Sequence, residues 1–281
     1  MTQAVSKHVW YDLVTPDLKA AEKFYAKVVG WKIADAGMPG MSYSIISAGD
    51  VMVGGLMQRP PEMGDAMPGW QGHIHAPDVD QYAADVTMAG GHVHREPRDI
   101  PGVGRFAVVS DPHGAAFILF EPNSTETPKP VAANTPGHIG WHELHAGDGA
   151  AAWKFYEGLF GWSKVEALDM GAMGIYQTFA TGGSDAVGGM MTKMPDMPKP
   201  MWLYYFNVDA IDAAAKRIKK AGGKILMERR RLPLREKPSG PSLGAVRGAA
   251  GPGPANDFSH TKIGSARPKA VAHCDCRHRL D

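Results

Sequence analysis

Two acidic residues lie in the middle of apolar segments, where an unpaired charge is costly. Asp12 follows Trp10 by two residues in WYDL, and Glu143 follows Trp141 by two residues in WHEL. Each alternating apolar segment predicts a β-strand, so the tryptophan and the acid share a face. A buried carboxylate must be protonated or accept hydrogen bonds, here from the backbone or from a neighbouring Tyr or Trp. Asp12 and Glu143 are therefore predicted to be structural carboxylates, or else ligand-orienting groups or general bases of a catalytic site.

A pair of histidines alternates along a later apolar segment. His73 and His75 are two residues apart and so lie on one strand face. Together with Asp12 they offer two imidazoles and one carboxylate, an open ligand set for Fe, Zn, Ni or Mn. In the other half of the chain the corresponding residues are Tyr205 and Asn207. These two suit a hydrogen-bonding pocket better than a metal site.

The segment that carries the acids occurs twice. Residues 10–31 read WYDLVTPDLKAAEKFYAKVVGW, and residues 141–162 read WHELHAGDGAAAWKFYEGLFGW. Both begin with Trp and an acid-Leu pair, and both end with Phe-Tyr followed by Gly-Trp, at one constant offset. A match of this length predicts two copies of one folding unit. The pattern predicts a strand, then a helix whose start at 15–17 is capped by the Thr15 hydroxyl, then a second strand.

The remaining segments extend this unit into βαβββ modules. Further helices are predicted over 78–89, 148–160 and 209–221, each followed by short apolar segments separated by Gly and Pro. The predicted organisation is a first domain over 6–123, a linker over 124–136, a second, truncated domain over 137–228, and a tail over 229–281.

The tail differs from the rest of the chain. The first domain ends in two strands joined by Asp-Pro-His-Gly, whereas the equivalent residues 237–246 read KPSGPSLGAV and show no alternation. The tail is basic and rich in Pro, Gly and Arg, which predicts a disordered segment or a shifted reading frame. A second domain without its last strand pair exposes a sheet edge, which favours a homo-oligomer. The pair Cys274 and Cys276 is spaced too closely for a usual zinc site.

Bulk properties exclude several classes of protein. The 281 residues are 44% hydrophobic and 21% charged, which is typical of a globular protein with a sizeable core. The N-terminus does not resemble a signal peptide, and no apolar run has the length of a membrane span. Two cysteines, both in the tail, predict a cytoplasmic protein. There is no basic stripe before the tail, so neither nucleic acid nor membrane is a predicted partner.

The repeated modules, the Phe-Tyr…Gly-Trp helix ends and the DPHGAAFILFEP ending resemble the vicinal oxygen chelate superfamily. This superfamily includes glyoxalase I, bleomycin-resistance proteins and extradiol dioxygenases, and this chain is most similar to its tandem-domain, glyoxalase-like members. The resemblance implies an α+β fold in which paired modules curl into half-open mixed β-barrels, with helices outside and a cavity inside. In metal-dependent members, four side chains from the first and fourth strands of the modules bind one ion.

Apart from Gln71 or His73, the positions that correspond to these metal ligands carry no side chain that could bind a metal ion. In the first domain they are Trp10, Gly55, Gln71 (His73 if the strand is shifted by two residues) and Ile118. In the second domain they are Trp141, Gly189 and Leu203, and the fourth position is missing. The side chains of Trp, Ile and Leu offer no ligand atom to a metal ion, and Gly has no side chain. The resemblance therefore implies the fold without the metal site of the family.

The sequence thus predicts a protein of the glyoxalase/bleomycin-resistance type that binds a small molecule in a barrel cavity and needs no cofactor. The predicted ligand-binding residues are Trp10, Asp12, Gln71, His73, His75, Trp141, Glu143, Tyr205 and Asn207. The aromatic residues Trp10, Trp70, Trp141, Trp202, Tyr204 and Tyr205 could stack on a flat ligand. The alternative is a metal-dependent lyase or dioxygenase that uses Asp12, His73 and His75, and the sequence leaves open whether any reaction is catalysed.

Overall fold

A computed structural model describes residues 5–64, 68–124, 131–132, 134–225, 244–249 and 271–275. These residues form four α-helices and sixteen strands. The helices are α1 (Leu18–Val28), α2 (Val79–Met88), α3 (Gly149–Phe160) and α4 (Ile211–Lys220). The strands before the linker are β1 (His8–Thr15), β2 (Lys32–Asp35), β3 (Tyr43–Ala48), β4 (Val51–Gln58), β5 (Gly69–His75), β6 (His92–Ile100), β7 (Gly104–Ser110) and β8 (Ala116–Pro122). The strands after it are β9 (Ile139–Ala146), β10 (Ser163–Asp169), β11 (Ile175–Ala180), β12 (Gly188–Thr192), β13 (Met201–Val208), β14 (Lys224–Ile225), β15 (Gly244–Ala249) and β16 (Val271–Asp275).

Aspartates, rather than a hydroxyl, cap three of the helices. Asp17 adopts an extended backbone, and its carboxylate accepts the Ala20 amide at 2.8 Å. Asp78 and Asp148 cap α2 and α3 in the same way. The predicted Thr15 cap is therefore wrong, because helix α1 begins at Leu18 and the residue directly before it is the acid. A carboxylate also interacts favourably with the positive end of the helix dipole.

The strands form two open sheets, and the predicted α+β class is confirmed. The first sheet has the order β2-β3-β4-β1-β5-β8-β7-β6, and β1 runs parallel to β4. The second sheet begins β10-β11-β12-β9-β13, with β9 parallel to β12 in the same way. None of the helices in the described part of the chain has the length and apolar character of a membrane span.

The end of the second sheet departs from the pattern of the first. It continues with β15, β16 and β14, the first two of which come from the segment predicted to be a tail. In the first sheet, β5 pairs with β8 in parallel and β8 pairs with β7 antiparallel. In the second sheet these directions are reversed, because β13 pairs with β15 antiparallel and β15 pairs with β16 in parallel. The strand-turn-strand ending of the first domain is therefore not repeated. Of the predicted tail over 229–281, the structure describes only β15 and β16, and the prediction of disorder or a shifted reading frame for the rest lies outside the described residues. The predicted domain boundaries remain a prediction.

The chain also forms two compact units that interleave along the sequence. One unit consists of Met1–Tyr11, Gln71–Pro130 and Trp141–Leu203. The other consists of Asp12–Trp70, Val131–Gly140 and Tyr204–Asp281. The first is called the inner-segment unit and the second the outer-segment unit.

Each unit has an aromatic core in which the indole N–H groups are paired. In the outer-segment unit, Trp70 Nε1 donates to the Tyr25 hydroxyl at 3.0 Å, and Trp31 Nε1 donates to the Gly137 carbonyl at 2.8 Å. Phe206 packs against both indoles, with ring centroids 4.9 and 4.8 Å apart. These pairings allow large polar-tipped side chains to be buried without an unsatisfied donor.

The inner-segment unit repeats this core. Trp202 Nε1 donates to the Tyr156 hydroxyl at 3.1 Å, and Trp162 Nε1 donates to the Ser6 carbonyl at 2.8 Å. Trp162 also stacks on Phe179 at 4.5 Å between ring centroids. Trp70 and Trp202 are thus core residues, whereas Trp10 and Trp141 are partly exposed.

Two buried histidines stack in the inner-segment unit. The rings of His8 and His142 lie 4.2 Å apart, and His142 Nδ1 lies 2.9 Å from the Val187 carbonyl. His142 therefore donates from Nδ1 and accepts the Tyr11 hydroxyl at Nε2, 2.6 Å away, as a neutral ring. Burial lowers the pKa of His142 to about 4, against the opposing effect of the Val187 carbonyl. Burial, then the nearby His142 ring, holds the pKa of His8 well below its usual range.

We predict that the free energy of unfolding falls as the pH is lowered from about 6.5 towards about 4. In this window the unfolded chain binds protons at His8 and His142 that the folded chain does not bind, at about 1.4 kcal/mol per pH unit for each ring. The substitution His142→Gln keeps a donor and an acceptor but removes one titrating group. Urea unfolding across this window should show a shallower loss for His142→Gln than for the wild type. Equal slopes would contradict the neutral state of His142.

Candidate functional site

The first candidate acid is paired with a tyrosine in the outer-segment unit. The hydroxyl of Tyr43, on β3, donates to Asp12 Oδ1 on β1 at 2.7 Å. Asp12 lies opposite Gly55 in the parallel pairing of β1 with β4, and Gly55 also lies opposite Ile45 in β3. The tyrosine thus reaches across the intervening strand β4 to the acid. This short hydrogen bond satisfies one oxygen of the half-buried carboxylate.

The second candidate acid has the same partners in the inner-segment unit. The hydroxyl of Tyr176, on β11, lies 3.2 Å from Glu143 Oε2, and Glu143 lies opposite Gly189 in the pairing of β9 with β12. Trp141 adds a third member, because its Nε1 donates to the Tyr176 hydroxyl at 2.7 Å. The arrangement of acid, tyrosine and glycine therefore occurs in both copies of the folding unit. We call it the acid–tyrosine pair of each copy.

The glycines make this arrangement possible. A Cβ atom on Gly55 would overlap the Tyr43 hydroxyl, and a Cβ atom on Gly189 would overlap the Tyr176 ring. The aromatic ring therefore lies directly on the strand at the point where any other residue would project a side chain. The repeated VGGLM and VGGMM segments are visible in the sequence, but sequence reasoning missed both tyrosines. The signal that could have found them is their recurrence 12 or 13 residues before the paired glycine.

A metal ion does not fit the positions that the resemblance assigns to metal ligands. At Gly55 and Gly189 the space of a ligating side chain is occupied by tyrosine. Ile118 is a buried aliphatic residue paired with His73 across β5 and β8. Among the described residues, no three His, Cys, Asp or Glu side chains are gathered so that they could hold a metal ion. The second copy carries indole and aliphatic side chains, Trp141 and Leu203, at the remaining positions.

Sequence reasoning also missed a histidine beside the second acid. His145 lies two residues after Glu143 on the same face of β9, and its Nε2 lies 2.7 Å from Glu143 Oε1. Both side chains are largely buried, with 11% of His145 and 16% of Glu143 exposed. The WHELHA segment contained this signal, because an acid and a histidine two residues apart share a strand face. The equivalent residue of the first copy is Val14, which is buried and apolar.

The histidines predicted to line the site differ in their surroundings. His73 is buried and meets Phe120 edge-on, with ring centroids 5.5 Å apart. His75 is half-buried, and burial lowers its pKa, against the opposing charge of Glu121. Gln71 is partly exposed at the beginning of the same strand.

The predicted counterparts of these histidines, Tyr205 and Asn207, are both buried in β13. The Asn207 carbonyl accepts the Gly137 amide at 2.9 Å, and the Asn207 amide donates to the His138 carbonyl at 2.8 Å. Its side-chain amide lies against Gly140, where a Cβ atom would overlap it. Asn207 therefore packs on the segment that leads into β9.

The described residues also line two surface clefts away from these side chains. Their volumes are about 370 and 350 Å³, and both are lined by Lys27 and Arg217 at the ends of α1 and α4. The Arg217 guanidinium already donates to the Val28 carbonyl and to Asp209, each at 3.0 Å. None of the predicted ligand-binding residues lines either cleft.

Comparison with protein families decides the family. The model of the glyoxalase/bleomycin resistance protein/dioxygenase superfamily matches residues 7–119 and 136–235. The chain belongs to this superfamily. Its two matched segments correspond to the two sheets and to the two copies of the acid–tyrosine pair, as the resemblance in the sequence predicted.

Two relatives match most of the chain. The putative glyoxylase CFP32 of Mycobacterium bovis is 33% identical over 227 residues, which are 80% of this chain and 85% of the relative. The anthracycline biosynthesis protein DnrV of Streptomyces peucetius is 29% identical over 230 residues, which are 77% of this chain and 82% of the relative. Both matches extend across the two copies of the folding unit.

Solved structures of a glyoxalase and a catechol dioxygenase share the fold at low identity. The Mn(II)-bound glyoxalase from Novosphingobium aromaticivorans has a TM-score of 0.52 and 18% identity, over 79% of this chain and 72% of that chain. The catechol dioxygenase BphC has a TM-score of 0.52 and 13% identity, over 79% of this chain and 77% of that chain. At such identities the likeness concerns the fold.

We predict that Gly55→Ala and Gly189→Ala each destabilise the protein by about 1–3 kcal/mol. The added methyl group must displace the tyrosine ring and so break its hydrogen bond to the acid. Gly158→Ala is the matched control, since Gly158 is exposed in α3 and a Cβ atom there meets nothing within 4 Å. This change should stabilise by about 0.5–1 kcal/mol. Urea unfolding measures all three, and an unchanged stability of Gly55→Ala would show that Tyr43 does not occupy this space.

Proposed function

We propose that this superfamily member binds a small, flat molecule with polar substituents against its acid–tyrosine pairs, without the metal ion that some relatives use. One observation carries the proposal: in both copies a tyrosine hydroxyl occupies the place of a ligating side chain and donates to the neighbouring acid. Burying a carboxylate in an apolar strand costs free energy, and an apolar pair at the same positions would pack without this cost. The presence of the acid and the tyrosine in both copies therefore supports a role beyond core packing.

The chemistry of the second copy indicates the class of ligand. The indole of Trp141 is partly exposed and is held by its hydrogen bond to Tyr176, so it presents a fixed aromatic face. Glu143 offers a carboxylate acceptor beside it. An aromatic face with adjacent acceptors suits a planar molecule that carries hydroxyl groups. The name of DnrV, an anthracycline biosynthesis protein, supports a planar hydroxyquinone as the first probe.

Fluorescence titration tests the proposal with alizarin, a hydroxyanthraquinone, and with an anthracycline. We expect saturable quenching of tryptophan emission in the wild type. In Tyr176→Phe the ring stays over Gly189, but Trp141 and Glu143 lose a shared partner, so affinity should fall about tenfold, or about 1.4 kcal/mol. Tyr82→Phe is the matched control, since the partly exposed Tyr82 ring lies on helix α2 and stacks on Phe160 of helix α3. Equal loss of affinity in both variants would contradict the proposal.

Elemental analysis tests the metal-free part of the proposal separately. We expect purified protein to contain much less than one equivalent of Mn, Fe, Ni or Zn. Added Mn(II) should leave the affinity for alizarin unchanged. A stoichiometric metal that is lost in the variant Asp12→Ala/His73→Ala would instead support a metal-dependent lyase or dioxygenase.

A further inference from the structure

A cluster of basic side chains lies where the ends of α1 and α4 meet in the outer-segment unit. Lys27 of α1 and Arg217 and Lys220 of α4 line one surface cleft of about 350 Å³, together with Ala221. Of the described residues that line this cleft, three are cations and none is an acid. A concave surface with charges of one sign raises the local concentration of ions of the opposite sign. The cleft is therefore suited to attract an anion.

The cations of this cleft have donor groups to spare. Arg217 is held in place, because its Nε donates to the Val28 carbonyl and its Nη2 donates to Asp209, each at 3.0 Å. No described residue forms a hydrogen bond with Arg217 Nη1. Within the described part of the chain, neither Lys27 nor Lys220 forms an ion pair with an acid. Two ammonium groups and one edge of a fixed guanidinium thus remain available to a ligand.

The helix dipoles do not account for the cluster. Basic residues at the end of a helix interact favourably with its dipole, and α1 and α4 both end here. The equivalent helices of the inner-segment unit, α3 and α2, carry no basic residue in their last turns. Gly158 stands in place of Lys27. Asp85 and Met88 stand in place of the two cations of α4. The same helix pair therefore forms without the cluster, and the fold does not require it.

The neighbouring cleft offers room for an uncharged part of the same ligand. Its volume is about 370 Å³, and it shares Lys27 and Arg217 with the first cleft. The other residues that line it are Val29, Gly30, Pro136 and Asp209. A ligand whose anionic group meets the shared cations can extend along this wall, where the Asp209 carboxylate is an acceptor for hydroxyl groups.

We propose that this surface binds phosphate monoesters of small polyhydroxy molecules. Guanidinium and ammonium groups are the side chains that proteins use for phosphate, since they combine charge with several N–H donors. The three cations and the single carboxylate of Asp209 leave a net charge of +2. A phosphate monoester carries a charge of about −1.5 to −2 near pH 7, so the two are matched. The proposal is independent of the acid–tyrosine pairs, because none of their residues lines either cleft.

Isothermal titration calorimetry in a phosphate-free buffer of low ionic strength tests this proposal, with ribose 5-phosphate as the probe. We expect saturable binding at one site in the wild type, at least about threefold weaker binding of inorganic phosphate, and no binding of ribose. In Lys27→Gln/Lys220→Gln, two of the three cations are lost, so affinity for ribose 5-phosphate should fall at least about tenfold. Both lysines are exposed, and Gln has nearly the helix propensity of Lys, so the variant should fold.

Lys23→Gln/Lys216→Gln is the matched control. It removes the same charge from the same two helices, and both side chains are exposed but line neither cleft. Its affinity for ribose 5-phosphate should stay within about twofold of the wild type. Absence of saturable binding by the wild type would overturn the proposal. So would equal affinities for ribose 5-phosphate and inorganic phosphate, or an equal loss of affinity in the two double variants.

Discussion

The burial of a carboxylate in an apolar strand is the constraint on which the site depends. A charge in this position is tolerated only when hydrogen-bond donors compensate for the water it has lost. Tyr43 and Tyr176 supply that compensation, and each can reach its acid only because the strand between them carries a glycine. The acid, the tyrosine and the glycine therefore form one interacting unit, in which the glycine leaves the space that the tyrosine fills.

This unit lies at positions that the resemblance assigns to metal ligands in the superfamily fold. In a metal site, several donor side chains converge on one ion, whose charge neutralises the acid among them. Here the acid meets a phenol, and the phenol occupies the volume above Gly55 or Gly189 from which a ligating side chain would project. A hydroxyl group supplies a hydrogen bond where an ion would supply charge. In each copy the acid thus accepts its hydrogen bond from a tyrosine of the same sheet.

The buried histidines of the inner-segment unit have two kinds of surroundings. His8 and His142 lie deep among aromatic rings and stay neutral, because burial disfavours the imidazolium and the pairing with Tyr11 and Val187 uses both nitrogens of His142. His145 is also buried but lies against a carboxylate, which can balance a positive charge. The first two are therefore packing groups with a cost at low pH, whereas the third forms a hydrogen bond with an acid.

The sequence by itself determined the repeat, the α+β modules, the family and the two acids, because each is written in local periodicity or in a motif that recurs at one offset. It also indicated that each acid needs a partner. Only the tertiary structure decided which partner: Tyr43 lies 31 residues from Asp12 and Tyr176 lies 33 residues from Glu143, and strand pairing joins them. The same holds for Trp70 and Trp202, which a composition argument allows in a pocket and the packing of the sheets buries in the cores. The sequence pattern does not predict such long-range contacts, since the alternation of a strand determines which residues share a face but not which residues lie opposite that face.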